Sequence, residues 1–406
     1  MLLRLHLIQV YQAALDAVDG RSCVRRTLAQ SPLHGDVYVI AIGKAAAAMM
    51  HGANDALVEY LQQGLLITKT GHTGLFPAYI KQLEAGHPWP TQTSLNAGYE
   101  LLKFIHSTPK DAQLLFLISG GASSLVEVLP EGVSLEELHK VNDWLLGSGL
   151  DIHAMNHVRK AISTIKGGRL AQQLDGRSTQ LLLISDVPGD DPATIGSGLL
   201  VPEILLETEA PLELPEWIEA LMQKGSPAPQ MADACFGNIE LEIIATLSDA
   251  KHAAAEKGRA LGYEVYEHAA VLDGDAVLVG QQLASELLVG PEVMHVWGGE
   301  TSVCLPDRPG RGGRNQHLAL AAAIELAGDE SVGFLAAGTD GTDGPTDDAG
   351  ALVDGGTVAR GEAEGVEPRQ ALQNADAGTF LEASGDLIQT GPSGTNVMDL
   401  MIGLKQ

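Results

Sequence analysis

Short aliphatic and β-branched runs recur along the chain, each closing on Gly, Ser or Lys and each followed by residues whose apolar positions return every three to four places. The clearest runs are Val37–Ile42 before Gly43, Gly64–Thr68 before Lys69, Leu114–Ile118 before Ser119 and Leu181–Ile184 before Ser185. Later ones are Leu241–Thr246, Val293–Trp297 and Val332–Ala337. Buried strands alternating with amphipathic helices predict an α/β fold on parallel sheets. Met1–Val18 reads as an amphipathic first helix. Between Glu203 and Asn238 the pattern lapses into an acidic stretch carrying Pro211, Pro215, Pro227 and Pro229, with one helix near Pro215–Lys224. That lapse predicts a domain boundary and two domains, 1–232 and 238–406, as two α/β lobes with a cleft between them. No repeat of 20–50 residues and no low-complexity tract interrupts this order.

Composition narrows the function more than the fold. The 406 residues are 45% hydrophobic, enough for a large core, and the 47 glycines have no collagen period. Against 25 Lys and Arg stand 52 Asp and Glu, a net charge of -27. Such a surface repels phosphate backbones and anionic headgroups, so neither nucleic acid nor a membrane is expected as partner. An anionic ligand would need the few cations gathered around it. No apolar run long enough to span a bilayer appears, and the N-terminus lacks a cleavage signal. Cys23, Cys235 and Cys304 are three and far apart, which suits a reducing cytosol rather than a disulfide framework.

The turns after the strands carry the chemistry, because backbone N–H groups at the carboxyl edge of a parallel sheet are where anions bind. Gly43-Lys44 aims an ammonium into such a crevice. Ser119, Gly120, Gly121, Ala122, Ser123 and Ser124 offer bare backbone and hydroxyls to phosphate oxygens. Met155–Arg169 is basic in an acidic chain: Asn156, Arg159 and Lys160 share a helical face, and Lys166 and Arg169 flank Gly167-Gly168, the composition of an anion site. Asp186, with Asp190 and Asp191 on the same loop, offers hard oxygens of the kind that hold Mg²⁺. Further on, Glu300 follows a strand, Arg311 and Arg314 supply planar forks for carboxylate or phosphate, and Asp340, Asp343, Asp347 and Asp348 crowd a glycine loop without an EF-hand's closing Glu. Each has a blander reading as a turn, cap or solvated charge. No Walker A loop, G-x-G-x-x-G, G-x-S-x-G or H-E-x-x-H occurs, and the histidines show no paired metal spacing.

The segments IGKAA at 42–46, TKTGH at 68–72, EAGHPWP at 84–90, ISGGASSL at 118–125, NHVRK at 156–160, IKGGRLA at 165–171, SDVPGDD at 185–191, WGGETSV at 297–303, GRGGRNQ at 310–316, AGTDGTDGPTD at 337–347 and GPSGTN at 391–396 together resemble the glycerate 2-kinase family. These are the class II glycerate kinases with a C-terminal MOFRL domain, often labelled hydroxypyruvate reductases from their place in tartrate degradation. The resemblance spans nearly the whole chain in order. It implies a Rossmann-like N-terminal lobe, a smaller α/β C-terminal lobe and an active site in the cleft. It also implies ATP-dependent phosphorylation of D-glycerate to 2-phosphoglycerate with Mg²⁺, in the cytoplasm, and leaves room for a homodimer. The family's active-site lysine and arginine fall on Lys44 and Arg314. Thr70 and Trp89 depart from its usual residues and touch only the fit of substrate.

Under that reading Lys44 stabilises the transferring phosphoryl group and Arg314 clamps the glycerate carboxylate. Residues 119–124, Lys69, Asn156, Arg159 and Lys160 hold nucleotide phosphates. Asp186, Asp190, Asp191 and Glu300 are the metal candidates, and Asp186 or Glu300 accepts the hydroxyl proton. The rivals are an NAD(P)H-dependent hydroxypyruvate reductase, which the missing G-x-G-x-x-G disfavours, and a non-catalytic metabolite-binding protein. The tail from Gly391 is expected to fold back onto the cleft.

Overall fold

The computed structural model describes residues 2–203 and 213–406, so Met1 and Pro211 lie outside the described residues. The chain forms two compact units, Gly20–Ile244 and a second made of Met1–Asp19 with Ala245–Gln406. The boundary expected at 232–238 is therefore displaced, and the N-terminal segment joins the C-terminal unit.

The first unit carries β1 (Val37–Ile42), β2 (Leu61–Lys69), β3 (Ile80–Ala85), β4 (Gln113–Ile118), β5 (Thr179–Ile184) and β6 (Ile239–Ala245) in the order 3-2-1-4-5-6. Pairs β1–β2, β1–β4, β2–β3 and β4–β5 are all parallel. Helices cover the sheet, which is why β4 and β5 are apolar on both faces rather than alternating. Ile40, Ile42, Ile67, Phe116 and Leu183 form the middle of its core. β6 is the run expected to open the second domain; it closes the edge of the first sheet instead.

The second unit carries β7 (Val265–Leu272), β8 (Met294–Gly299), β9 (Val332–Gly338), β10 (Gly350–Asp354), β11 (Leu387–Ile388) and β12 (Asp399–Lys405), ordered 11-10-9-12-8-7. Here the parallel expectation fails. Only β7–β8 is parallel, while β8–β12, β12–β9, β9–β10 and β10–β11 are antiparallel. The end of the tail from Gly391 forms β12, one of the two central strands of this sheet. The helix Leu2–Ala17 lies against this sheet: a Cβ on Gly333 of β9 would meet Leu3 and Leu7, and the Tyr11 hydroxyl donates to the Gly338 carbonyl at 2.7 Å. Among the described residues no helix is long and apolar enough to cross a membrane.

Candidate active site

In a sheet of order 3-2-1-4-5-6 the direction of winding reverses between β1 and β4, so the loops leaving their carboxyl ends part to opposite faces and open a crevice. Gly43-Lys44 and Ser119–Ser124 leave those two ends. The ladder runs one step past the strands: Ser119 N donates to Ile42 O at 3.0 Å, and Lys44 N donates to Gly120 O at 2.9 Å. Gly43 has φ +132°, and a Cβ there would stand 2.2 Å from Ser119 Oγ. No other residue fits so close a crossing. Ser119 Oγ accepts from Ala45 N at 3.1 Å and is fully buried, so it serves the turn.

Gly121, φ +83°, faces outward, with the Lys44 Cγ and the His87 ring 3.2–3.3 Å from where its Cβ would be. His87 Nδ1 shares a hydrogen bond with Ser124 Oγ at 2.8 Å, and Ser123 Oγ one with Ser197 Oγ at 2.7 Å. These groups border a cavity of about 480 Å³, a volume suited to a small organic ligand. Of the 119–124 segment it is Gly121, Ser123 and Ser124 that reach the cavity, with Asn156, Arg159 and Asp186 on other walls.

Arg159 is the cation best placed for an anion there. Its described hydrogen-bond partners are neutral, Asn142 Oδ1 at 3.0 Å and Asn156 Oδ1 at 3.4 Å, and burial lowers its pKa by disfavouring the charge. The other cations of the basic stretch are already partnered, Lys166 on the cavity wall itself, which corrects the expectation of one anion-binding cluster. Lys166 forms a buried ion pair with Glu127 at 2.5 Å, steadied by Ser163. Arg169 donates to the carbonyls of Lys160, Lys166 and Ser226. Lys160 pairs with Glu203 at 3.2 Å. Lys44, Lys160 and Lys69, the last residue of β2, are absent from the residues that line the cavity, although the Lys44 stem lies beside Gly121, which does.

The loop carboxylates divide similarly. Asp191 accepts from Ala193 N and Thr194 Oγ1, closing its own turn, and neither it nor Asp190 lines the cavity that Asp186 lines. Among the described residues these aspartates do not join a group of three metal-ligating side chains.

In the second unit Arg314 opens the helix Arg314–Leu326. It grips Asp399 through Nε at 2.5 Å and Nη2 at 3.1 Å, and donates to Glu300 through Nη1. Burial works against its charge, but the two carboxylates outweigh it and raise the pKa. Three of its five N–H groups are thus engaged. Asp343 caps the same helix, accepting from Asn315 N at 3.1 Å and Gln316 N at 2.8 Å, and burial pushes its carboxyl up to about 7. Arg311 is held by Asp348 and Glu382. The 337–348 loop is therefore a support for Arg311 and the Arg314 helix.

Sequence reasoning passed over Glu127, Asn142, Thr194 and Ser197, all on the cavity wall. Glu127 carries a readable signal, a lone acid inside the apolar run Leu125–Leu129; its partner lies 39 residues away and gives none.

A Rossmann-ordered sheet with lysine, serine and glycine at its switch point, joined in one chain to a mixed-sheet α/β unit, defines a two-unit α/β protein with an anion-competent sheet edge. Comparison with known proteins gives the kinship. Residues 6–212 match a domain of unknown function, DUF4147, and residues 293–399 match the MOFRL family. The chain is 37% identical to D-glycerate 2-kinase of Thermotoga maritima, covering 98% of this chain and 97% of that protein. It is 35% identical to a putative hydroxypyruvate reductase of Agrobacterium vitis, over 97% of this chain and 92% of that one. A crystal structure of Thermotoga maritima glycerate kinase superposes with TM-score 0.85 at 35% identity, covering 100% of this chain and 99% of that chain. The chain belongs to the glycerate kinase family.

Proposed function

We propose that the protein transfers the γ-phosphoryl group of ATP to the 2-hydroxyl of D-glycerate, giving 2-phosphoglycerate. The observation that carries this reading is the meeting of Lys44 with the Gly120-Gly121 turn at the β1/β4 switch point, in a chain that matches glycerate kinases along its whole length. Phosphoryl transfer asks little covalent chemistry of a protein and mostly positioning and positive charge. Lys44 supplies the charge where the transferring group develops it. Gly121, Ser123 and Ser124 offer backbone and hydroxyl donors to phosphate oxygens, and Arg159 adds a cation on the cavity wall.

Mg²⁺ takes one or two carboxylates and completes its shell with phosphates and water. Asp186 meets that modest demand; Glu127, in the same cavity, is taken by Lys166. When bound, the ion neutralises phosphate charge. Asp186 is then the carboxylate that accepts the hydroxyl proton or positions the metal. Arg314 keeps two N–H groups beyond those given to Asp399 and Glu300, a fork suited to a small carboxylate.

Purified protein with D-glycerate, ATP and Mg²⁺ should release ADP in a coupled assay. Oxidation of NADH with hydroxypyruvate, in the absence of ADP release, would overturn the reading in favour of a reductase. Ligand binding without either turnover would make this a metabolite-binding protein.

A further inference from the structure

Three side chains of the second unit gather in an arrangement that phosphoryl transfer does not use. β7 and β8 run parallel with Tyr266 opposite His295. The register breaks between Glu267 and Val271, and there the rings of His268, His295 and Trp297 meet one another. Both imidazoles stack on Trp297, each with its centroid 4.9 Å from the indole. Rings on opposite faces of an indole stand about 7 Å apart, two contact layers of 3.5 Å. The two imidazole centroids are 5.2 Å apart, so both rings lie over the same face, with His268 Nε2 2.9 Å from His295 Nδ1.

Glu286, from the helix Ala276–Val289, brings its carboxylate oxygen to 3.6 Å from His295 Nδ1. One ligand atom from each of the three lies within 4.8 Å of the others, and among the described residues no other three His, Cys, Asp or Glu side chains do so. His295 is only 6% exposed, and its second nitrogen, Nε2, is buried with no hydrogen-bond partner. The Glu286 side chain is 40% exposed, which gives an ion a way in.

We propose that His268, Glu286 and His295 form a binding site for a divalent transition-metal ion, with zinc the best match to the donors. Two imidazoles and one carboxylate, with a fourth position left to water, are a zinc ligand set, whereas Mg²⁺ prefers oxygen alone. Tetrahedral bonds of about 2.0–2.1 Å set ligand atoms about 3.3 Å apart. The 3.6 Å pair already suits this, and the 2.9 Å pair opens by about 0.4 Å as the ion replaces the proton shared between the rings. A metal ion takes each imidazole through a nitrogen lone pair, in place of the proton that nitrogen would otherwise hold. The ion would tie β7, β8 and the Ala276–Val289 helix together.

Calorimetry on the full-length protein without a histidine tag, in millimolar Mg²⁺, should show one Zn²⁺ per chain. Glu286→Gln should weaken that binding at least tenfold and His268→Asn abolish it, with circular dichroism checking that both variants keep their fold. Co²⁺ should give the absorption of a tetrahedral site. Ni²⁺ should quench Trp297 emission, an effect lost in Trp297→Phe while calorimetric binding remains. Absence of one-to-one binding, or equal binding by the protein and both ligand variants, overturns the proposal. None of these readouts depends on kinase turnover.

Discussion

At the scale of single residues, Lys44 is where chemistry and stability separate most cleanly. Its stem rests beside Gly121 and its backbone N–H completes the β1/β4 crossing, so truncating the side chain leaves that bond intact. Lys44→Ala should lower kcat about 10²–10³-fold, the usual effect of removing one preorganised charge from a transition state, while the unfolding free energy changes by less than about 1 kcal/mol. Near-normal turnover would remove Lys44 from the mechanism. Asp343 offers the opposite case, a residue read through pH. Its carboxyl is raised from 3.8 to about 7 by burial, so between those values the folded state binds a proton that the unfolded state has lost. Its contribution to stability is complete below about pH 4 and is lost as pH rises to about 7, at most about 4 kcal/mol for a shift of about three units. Relative to Asp343→Asn, the melting temperature should therefore fall between pH 4 and 7 and run parallel above. A difference that grows with pH would assign the carboxylate a stabilising charge instead. At this scale the sequence displays residue types but not their partners. The Gly43-Lys44 turn is readable because it closes an apolar run just ahead of a helical pattern. Lys166 and Arg169 look equally basic on paper, and their burial against Glu127 and three carbonyls depends on contacts that no local spacing encodes.

Strand existence follows from apolar runs; pairing does not. In the first unit the crossover grammar forces parallel pairing, so β1, β2, β4 and β5 fall where the hydrophobic runs predict them. In the second unit β9 and the Leu400–Leu404 stretch of β12 are buried and without polar side chains, like parallel core strands, because both faces are covered, and burial alone cannot tell which way a neighbour runs. β7 and β10 escape notice for a related reason. β7 is largely exposed and carries Glu267 and His268, whereas β10 is a five-residue run following a glycine-rich loop. The helix Leu2–Ala17 is legible as amphipathic, but its docking partner, more than 300 residues away, is not. That docking makes a checkable claim. Leu7 is fully buried, at the place where Gly333 leaves room for it. Leu7→Ala should cost about 2–5 kcal/mol of unfolding free energy through lost apolar contact and an unfilled cavity, measured by urea titration. A loss below about 1 kcal/mol would mean that the helix contributes little to the second unit.

For the molecule as a whole, a net charge of -27 and a polyanionic phosphoryl donor oppose each other. The opposition resolves by range. If ATP is the donor, as proposed above, Lys44 and Arg159 would act on it over a few ångströms, whereas the excess of Asp and Glu acts through solvent over distances set by ionic strength. At 0.01 M salt the Debye length is about 30 Å, so an approaching nucleotide meets the repulsion of much of the surface; at 0.1 M it is about 10 Å, and what remains is mainly the local field of the site. KM for the nucleotide should accordingly fall as ionic strength rises from 10 to 100 mM, the reverse of an enzyme that steers anions in with a basic surface. Replacing Lys44 or Arg159 should raise KM at every salt concentration while leaving the direction of its salt dependence unchanged, because the distant charges are untouched. Steady-state kinetics across that salt range decides the matter. A KM that climbs with salt would mean that attraction near the site already dominates at long range, and that the acidic surface is turned away from the path by which the nucleotide enters.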